Sequence, residues 1–353
     1  MAGKFMDKLT NGVLSHDVGI DLGTANILVY VKGRGIVLRE PSVAVVKKDT
    51  DEIVKLGHAA LKMIGRTPEN LEVVRPLREG VIDKYKVTLQ MVDHLIRRAC
   101  GNTLIKPRVM VCIPTGATEV EECAVIDAAT GAGARQLYLV EEPVAAAIGA
   151  GLDISAPSGQ MVVDIGGGTT DVAVISLDEV VVSESIKIAG DKFDQAIMRY
   201  TRTRYNILIG ETTAEQIKRH IGTVYEHEKE LIGEYNGRNV KTGLPDKVRL
   251  SSREMLEALI EPITAVIDAI CAVIAHTPPE LVGDIMENGI MMTGGGSKLR
   301  GLDMLISKIT GIPVRVADQP LECVAIGMGK RLEQLEYYQD GAINLSRERE
   351  KRK

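Results

Sequence analysis

The sequence contains no tryptophan and only two phenylalanines, and aromatic residues make up 3% of it. The core must be aliphatic, and the aromatic platforms on which unpaired bases stack are excluded. Positive charge is not in excess either: Lys+Arg 43 against Asp+Glu 48 leave a formal net charge of −5, so no nucleic acid is expected as a partner. CxxC pairs are missing. The five cysteines (Cys100, Cys112, Cys123, Cys271, Cys323) are scattered, most of them in apolar runs. That pattern excludes a disulfide framework and a structural zinc site, and it fits reduced core thiols in a cytosolic protein. No uninterrupted apolar run approaches the ~18 residues of a membrane-crossing helix. The longest, 144–152, contains two glycines, and Lys4, Asp7 and Lys8 break up any signal-peptide core. There is no GxxxxGK[ST], and Gly131-Ala132-Gly133 does not complete GxGxxG, which disfavours P-loop NTPases and Rossmann dehydrogenases.

What is present is enough chain for two domains at ~150 residues each, with strand and helix patterns alternating along it. Apolar runs at 18–21, 27–31, 36–38, 43–46, 108–113 and 136–140 read as strands in the first half. Leu89, Val92, Leu95, Ile96 and Ala99 share one face of a helix over 84–100, and further helices are expected over 118–130 and 142–149. After a connector at 153–159 the strand–turn–strand pattern begins again at 161–164 and 172–176, so that Ile20-Asp21-Leu22-Gly23-Thr24 and Val163-Asp164-Ile165-Gly166-Gly167 form a weak internal repeat. Such a repeat points to a duplicated fold. Helices are expected at 191–205, 212–220, 252–276, 277–287 and 299–309, strands at 289–293 and 314–316, a polar stretch at 226–247, and a last helix over 320–338. The expected domains are 1–150, rejoined by 320–338, and 151–319, followed by a charged tail at 339–353.

Three glycine-bearing turns each follow a strand: Asp21-Leu22-Gly23-Thr24, Asp164-Ile165-Gly166-Gly167-Gly168-Thr169, and Thr293-Gly294-Gly295-Gly296-Ser297. Glycine lets main-chain N–H groups approach phosphate oxygens, threonine adds a donor, and a carboxylate at the strand end can orient water around Mg²⁺. One such turn alone reads as a tight hairpin. Three of them, two led by aspartate in a duplicated context, point to a nucleoside triphosphate.

These turns resemble the two phosphate motifs and the adenosine motif of the actin, 70-kDa heat-shock chaperone and sugar-kinase superfamily. The closer resemblance is to its MreB family of bacterial actin homologues. It rests on Ile20-Asp21-Leu22-Gly23-Thr24-Ala25-Asn26, on Arg75-Pro76-Leu77-Arg78-Glu79-Gly80-Val81-Ile82, on Glu141-Glu142-Pro143-Val144-Ala145-Ala146-Ala147-Ile148-Gly149, on Gly210-Glu211-Thr212-Thr213-Ala214-Glu215 and on Thr277-Pro278-Pro279-Glu280-Leu281. The resemblance spans residues 17–336. It implies an α/β, actin-like two-domain fold, with duplicated mixed β-sheets and flanking helices around a nucleotide cleft, and each domain carrying a five-stranded sheet and a small subdomain.

It also implies roles for particular residues. Asp21 and Asp164 would hold Mg²⁺ through water. Gly23, Thr24 and Asn26 would contact the ATP phosphates from one domain, and Gly166, Gly167, Gly168 and Thr169 from the other. Glu142, where actin has Gln, would orient the attacking water with help from Thr169; by residue type alone it is equally a helix-start carboxylate stabilised by the dipole. Glu215 and Lys218 would reach the ribose, although their spacing also fits a surface ion pair. Gly294, Gly295 and Gly296 would pack under the adenosine.

Two apolar features stand apart. Phe5, Met6 and Leu9 fall on one side of an N-terminal helix with Ala2 and Val13, a pattern that fits an interfacial helix or one docked on its own domain. Leu104 and Ile105 occupy a loop between Gly101 and Lys106. The resemblance places both on a membrane-facing side. It further implies self-association into protofilaments, paired and antiparallel, at the inner face of the cytoplasmic membrane, in company with membrane-bound morphogenesis and cell-wall proteins. A chaperone-type ATPase or a small-metabolite kinase of the same superfamily is the alternative.

Overall fold

The computed structural model describes residues 16–101, 105–226 and 229–334, so Phe5, Met6, Leu9 and Leu104 lie outside the described residues. Two compact units emerge, one formed by the chain up to Asp153 together with the chain from Glu322, the other by Ile154–Leu321.

The first unit begins with β1 (Asp17–Leu22), β2 (Asn26–Val31), β3 (Gly35–Pro41), β4 (Ala44–Lys47), β5 (Ile53–Leu56) and the short α1 (Gly57–Leu61). It continues through β6 (Leu71–Val74), β7 (Leu77–Arg78), β8 (Val81–Ile82), α2 (Tyr85–Cys100), β9 (Arg108–Ile113), α3 (Glu119–Gly131), β10 (Gln136–Glu141) and α4 (Glu142–Gly149). Its main sheet has the order β10-β9-β1-β2-β3, with β1, β9 and β10 parallel and β2 and β3 antiparallel. Val18, Ile20, Val109 and Val111 are fully buried, as expected where helices cover both faces of parallel strands. Helix α2 buries Val87, Met91, Leu95 and Ala99 at i, i+4 spacing, and Gly101, at φ +68, ends it. Helix α3 starts on a capping box between Thr118 and Glu121. Strands β5, β4 and β6 make a small three-stranded sheet beside the main one.

The second unit repeats the plan with β11 (Gln160–Ile165), β12 (Thr170–Ser176), β13 (Glu179–Ile186), α5 (Gly190–Tyr205), β14 (Ile207–Leu208) and α6 (Glu211–Ile221). Then come β15 (Ile232–Asn239), β16 (Pro245–Ser251), α7 (Ser252–His276), α8 (Pro279–Asn288), β17 (Ile290–Thr293), α9 (Leu302–Thr310) and β18 (Val314–Val316). Its sheet order, β13-β12-β11-β17-β18, again has one antiparallel half and one parallel half. The expected polar stretch at 226–247 is instead largely the β15–β16 hairpin, which with β14 forms a second small sheet. Along β15, exposed and half-buried residues alternate without an apolar face, so the segment lacks the usual strand signature. Helix α7 is long and apolar enough to cross a bilayer, but half of that stretch is buried, with Met255, Leu259, Val266 and Ile270 in the unit's core.

The chain returns to the first unit as α10 (Cys323–Gln334), which starts three residues later than expected. It lies against α4 and the β1–β2 pair. The approach is close enough to require glycine: a β-carbon on Gly149 would lie 1.8 Å from the Cys323 carbonyl oxygen, and one on Gly327 1.8 Å from that of Ala145. All five cysteines are free thiols; Cys123 and Cys271 are exposed, against the expectation of core thiols for most.

Candidate functional site

In the first unit the C-terminal ends of three parallel strands lie side by side, the usual place for a ligand in an α/β sheet. Strand β1 ends with Asp21 and Leu22, β9 with Cys112 and Ile113, and β10 leads directly into Glu142, the first residue of α4. Asp21 is buried, and among the described residues its one hydrogen bond comes from the Cys112 Sγ–H, at 3.5 Å. Burial pushes the Asp21 carboxyl up to about 7, with the thiol pulling in the opposite direction. The Cys112 thiol is itself pushed well above its ordinary range, first by burial and then by the carboxylates of Asp21 and Glu142.

Beyond Asp21 the chain reverses through Gly23, Thr24 and Ala25 into β2. A β-carbon on Gly23 would sit 2.6 Å from the Asn26 carbonyl oxygen, so the turn requires glycine. Thr24 is buried and its Oγ1 accepts a 3.1 Å hydrogen bond from the Gly80 N–H. Gly80 and Glu79 both have positive φ (+78 and +48) and form the two-residue turn between β7 and β8, which explains the Arg75 to Ile82 motif. Asn26 is exposed at the start of β2.

In the second unit β11 ends in Asp164 and Ile165, and the Gly166 N–H bonds to the Thr169 carbonyl at 2.9 Å, closing the turn into β12. Asp164 is buried and accepts a 2.7 Å hydrogen bond from the Thr293 hydroxyl, its neighbour across the β11–β17 pair. The third glycine turn packs on the second. Gly294 has φ +77, and a β-carbon there would lie 2.3 Å from the Ile165 carbonyl oxygen and 2.8 Å from Asp164 Oδ1. One on Gly296 would lie 2.3 Å from Ile165 Cγ2, whereas Gly295 faces Leu321 at 3.4 Å. Packing against β11 is therefore sufficient reason for Gly294 and Gly296.

The start of α5 braces the same turn: the Gly190 N–H donates to the Gly166 carbonyl (3.2 Å) and the Asp191 N–H to that of Gly167 (2.8 Å). Lys218, on α6, does not pair with Glu215 as their spacing allowed. Its ammonium donates to the Gly190 carbonyl at 2.9 Å and to Asp194 Oδ2 at 3.0 Å, while Glu215 pairs with Arg219 at 3.6 Å. Burial raises the Asp194 carboxyl to about 6 despite the Lys218 charge. Its Oδ1 is buried without a hydrogen bond among the described residues.

Thus Asp21 and Glu142 share a neighbourhood through Cys112, and Asp164 and the glycines of the second and third turns are brought together. Thr169 is buried at the end of its turn, and Ile105 is half-buried in its loop. Cys112, Gly190, Asp194 and Thr293 were not singled out from sequence. The available signals were a glycine opening a helix before two aspartates, and a cysteine at a strand end two residues before Pro114. A buried carboxyl whose one hydrogen bond among the described residues is from a thiol suits a cation held through water, so the residues present fit Mg²⁺.

The family model described as MreB/Mbl protein matches residues 15–340. The cell shape-determining protein MreB of Escherichia coli strain K12 is 50% identical over 339 residues, 94% of this chain and 98% of that protein. The cell shape-determining protein Mbl of Bacillus subtilis strain 168 is 47% identical over 325 residues, 92% and 98% respectively. Among solved structures, MreB 5 of Spiroplasma citri bound to AMPPNP superposes with a TM-score of 0.87 at 37% identity, over 93% of this chain and 98% of that one. The MamK double helical filament shares the fold, with a TM-score of 0.77 at 21% identity over 90% of this chain and 99% of that one. With an aspartate-led glycine turn in each unit and these matches over most of its length, the chain belongs to the MreB/Mbl family and has its actin-like fold.

Proposed function

We propose that this protein is an ATP-dependent cytoskeletal ATPase that assembles into filaments on the inner face of the cytoplasmic membrane and organises cell-wall growth and rod shape. The observation that carries the nucleotide reading is the duplicated half-site, a buried aspartate at a strand end followed by a glycine turn of fixed geometry, in Asp21 to Thr24 and again in Asp164 to Thr169. The relative bound to AMPPNP supports the same reading.

In this mechanism the main-chain N–H groups of Gly23 and Gly167 to Thr169 bind phosphate oxygens, the Gly166 N–H being spent on closing its own turn, and the Thr24 hydroxyl, whose oxygen already accepts from Gly80, has its proton free to donate. Asp21 in the first half-site and Asp164 in the second are the residues that would hold Mg²⁺ through water, and the ion would offset charge on the transferred phosphoryl group. Glu142 at the first position of α4 orients the attacking water and accepts its proton, with help from Thr169. Subunits bound to ATP join into paired antiparallel protofilaments, and hydrolysis weakens them. Association with membrane-bound morphogenesis and cell-wall proteins completes the reading. The chaperone and kinase alternatives are not favoured for a chain of this family.

The test is sedimentation with and without Mg-ATP and anionic liposomes, with phosphate release followed in parallel. Polymer that pellets only with nucleotide is expected; phosphate release without any polymer would overturn the cytoskeletal reading. For the membrane part, serine at 104 and 105 combined with deletion of residues 2–13 should abolish liposome co-sedimentation while filaments still form. Each filament presents the site many times, so avidity makes the loss steep. Retained co-sedimentation of that variant would sink the membrane assignment.

A further inference from the structure

Lys218 stands at one end of a line of two peptide groups that finishes in the second glycine turn. Its ammonium is held by Asp194 Oδ2 at 3.0 Å and donates to the Gly190 carbonyl at 2.9 Å. That carbonyl belongs to the same peptide unit as the Asp191 N–H, which donates to the Gly167 carbonyl at 2.8 Å. The Gly167 carbonyl in turn shares a peptide with the Gly168 N–H. Because each unit is planar and trans, its N–H points opposite to its C=O. A carbonyl turned towards α5 therefore turns the next N–H away from α5. The bond from the Gly190 N–H to the Gly166 carbonyl, at 3.2 Å, orients the Gly167 N–H in the same sense. No cis peptide interrupts the line among the described residues. The half-buried ammonium also polarises the peptide it bonds, strengthening the donors further along. There is little slack: a β-carbon on Gly190 would lie 3.3 Å from the Gly166 carbonyl oxygen and 3.4 Å from Lys218 Nζ.

We propose that Lys218, fixed by Asp194, is a positioning residue that aims the Gly167 and Gly168 N–H groups at the phosphates of the bound nucleotide. The proposal rests on the reading of that turn as a phosphate site, and it is distinct from a ribose contact by Lys218. The two roles predict different patterns. A lost ribose contact weakens every adenosine ligand by the same factor. Misaimed turn donors weaken binding more as phosphates are added.

The experiment measures dissociation constants of adenosine, AMP, ADP and AMPPNP, each with Mg²⁺, for the wild type, Lys218→Met and Asp194→Asn. Losses of about tenfold or more for ADP and AMPPNP, with adenosine within about twofold, are expected, the size of a lost charge-assisted hydrogen bond. In the nucleotide-free protein, the Asp191 amide should exchange with solvent faster in both variants. Equal losses for all four ligands, or unchanged Asp191 exchange, would overturn the proposal. Should Lys218→Met fail to fold, Asp194→Asn, nearly isosteric, decides by the same criteria. A wild type whose affinity does not depend on phosphate number would instead refute the reading of the turn itself, so the two failures are distinguishable.

Discussion

The two aspartate-led turns are copies of one idea held in different ways. Asp164 receives a hydroxyl donor from Thr293, and its turn is backed by the first two N–H groups of α5 and by the third glycine turn. Asp21 receives only a thiol hydrogen bond among the described residues, and its turn is steadied by the distant β7–β8 hairpin through Thr24. Burial raises the first carboxyl to about 7, and the thiol, a weaker donor than a hydroxyl, offsets little of that rise. The second unit holds a cradle completed by its own chain. The first holds a buried carboxyl with one weak donor among the described residues.

The harshest way to break that contrast is Asp164→Ala, which removes the carboxylate and the partner of Thr293 together. Mg-dependent hydrolysis should fall by at least ~10²-fold, measured as phosphate release over a Mg²⁺ titration; unaltered turnover would remove the metal role. Glu142→Ala should leave nucleotide binding and polymer formation largely intact while slowing phosphate release by about 10²-fold. Loss of ATP binding in that variant would make Glu142 a structural helix-start carboxylate.

Asp21 offers a test through stability. Its carboxyl titrates near 3.8 when unfolded and near 7 when folded, so between those values the folded chain keeps a proton that the unfolded chain has lost. Stability of the nucleotide-free protein should therefore fall as pH rises from 4 to 7 and level off above, with a slope of up to ~1.4 kcal/mol per pH unit from this group. Asp21→Asn should flatten that part of the profile, which thermal melts at several pH values will show. The mildest change is Cys112→Ser. A hydroxyl donor should lower the Asp21 midpoint by under about one unit, making the first half-site more like the second; an upward shift would mean that Cys112 does not donate to it.

Much of this site was legible because backbone geometry leaves marks in sequence. Glycine at 23 and 294 reports a turn too tight for a side chain, and the apolar runs before them report buried strands. The supporting partners left no such mark. Cys112 meets Asp21 across 91 residues, through parallel pairing of β1 and β9, and a cysteine in an apolar run looks the same whether or not a carboxylate lies beside it. Lys218 illustrates the opposite error. Spacing along α6 pointed to Glu215, but an aspartate on α5 sits closer and leaves the ammonium less exposed to water. The β15–β16 hairpin was missed because exposure without an apolar face removes the period on which strand recognition depends.

The glycine contacts between α4 and α10 also set an order of events during synthesis. Gly149 and Gly327 let α10 close on α4, and Met328 packs with its Cβ where a β-carbon on Gly19 would be 3.1 Å away, so α10 covers β1. None of that cover exists until the ribosome has passed residue 323. At 5–20 residues per second the ~170 residues of the second unit take on the order of 10–30 s to make. For that interval the first sheet, although translated earliest, waits without the cover of α10, while the second unit is made as one continuous stretch that needs no later segment. Nascent chains stalled before residue 322 should accordingly depend on chaperones to stay soluble, and chains released after 334 should not.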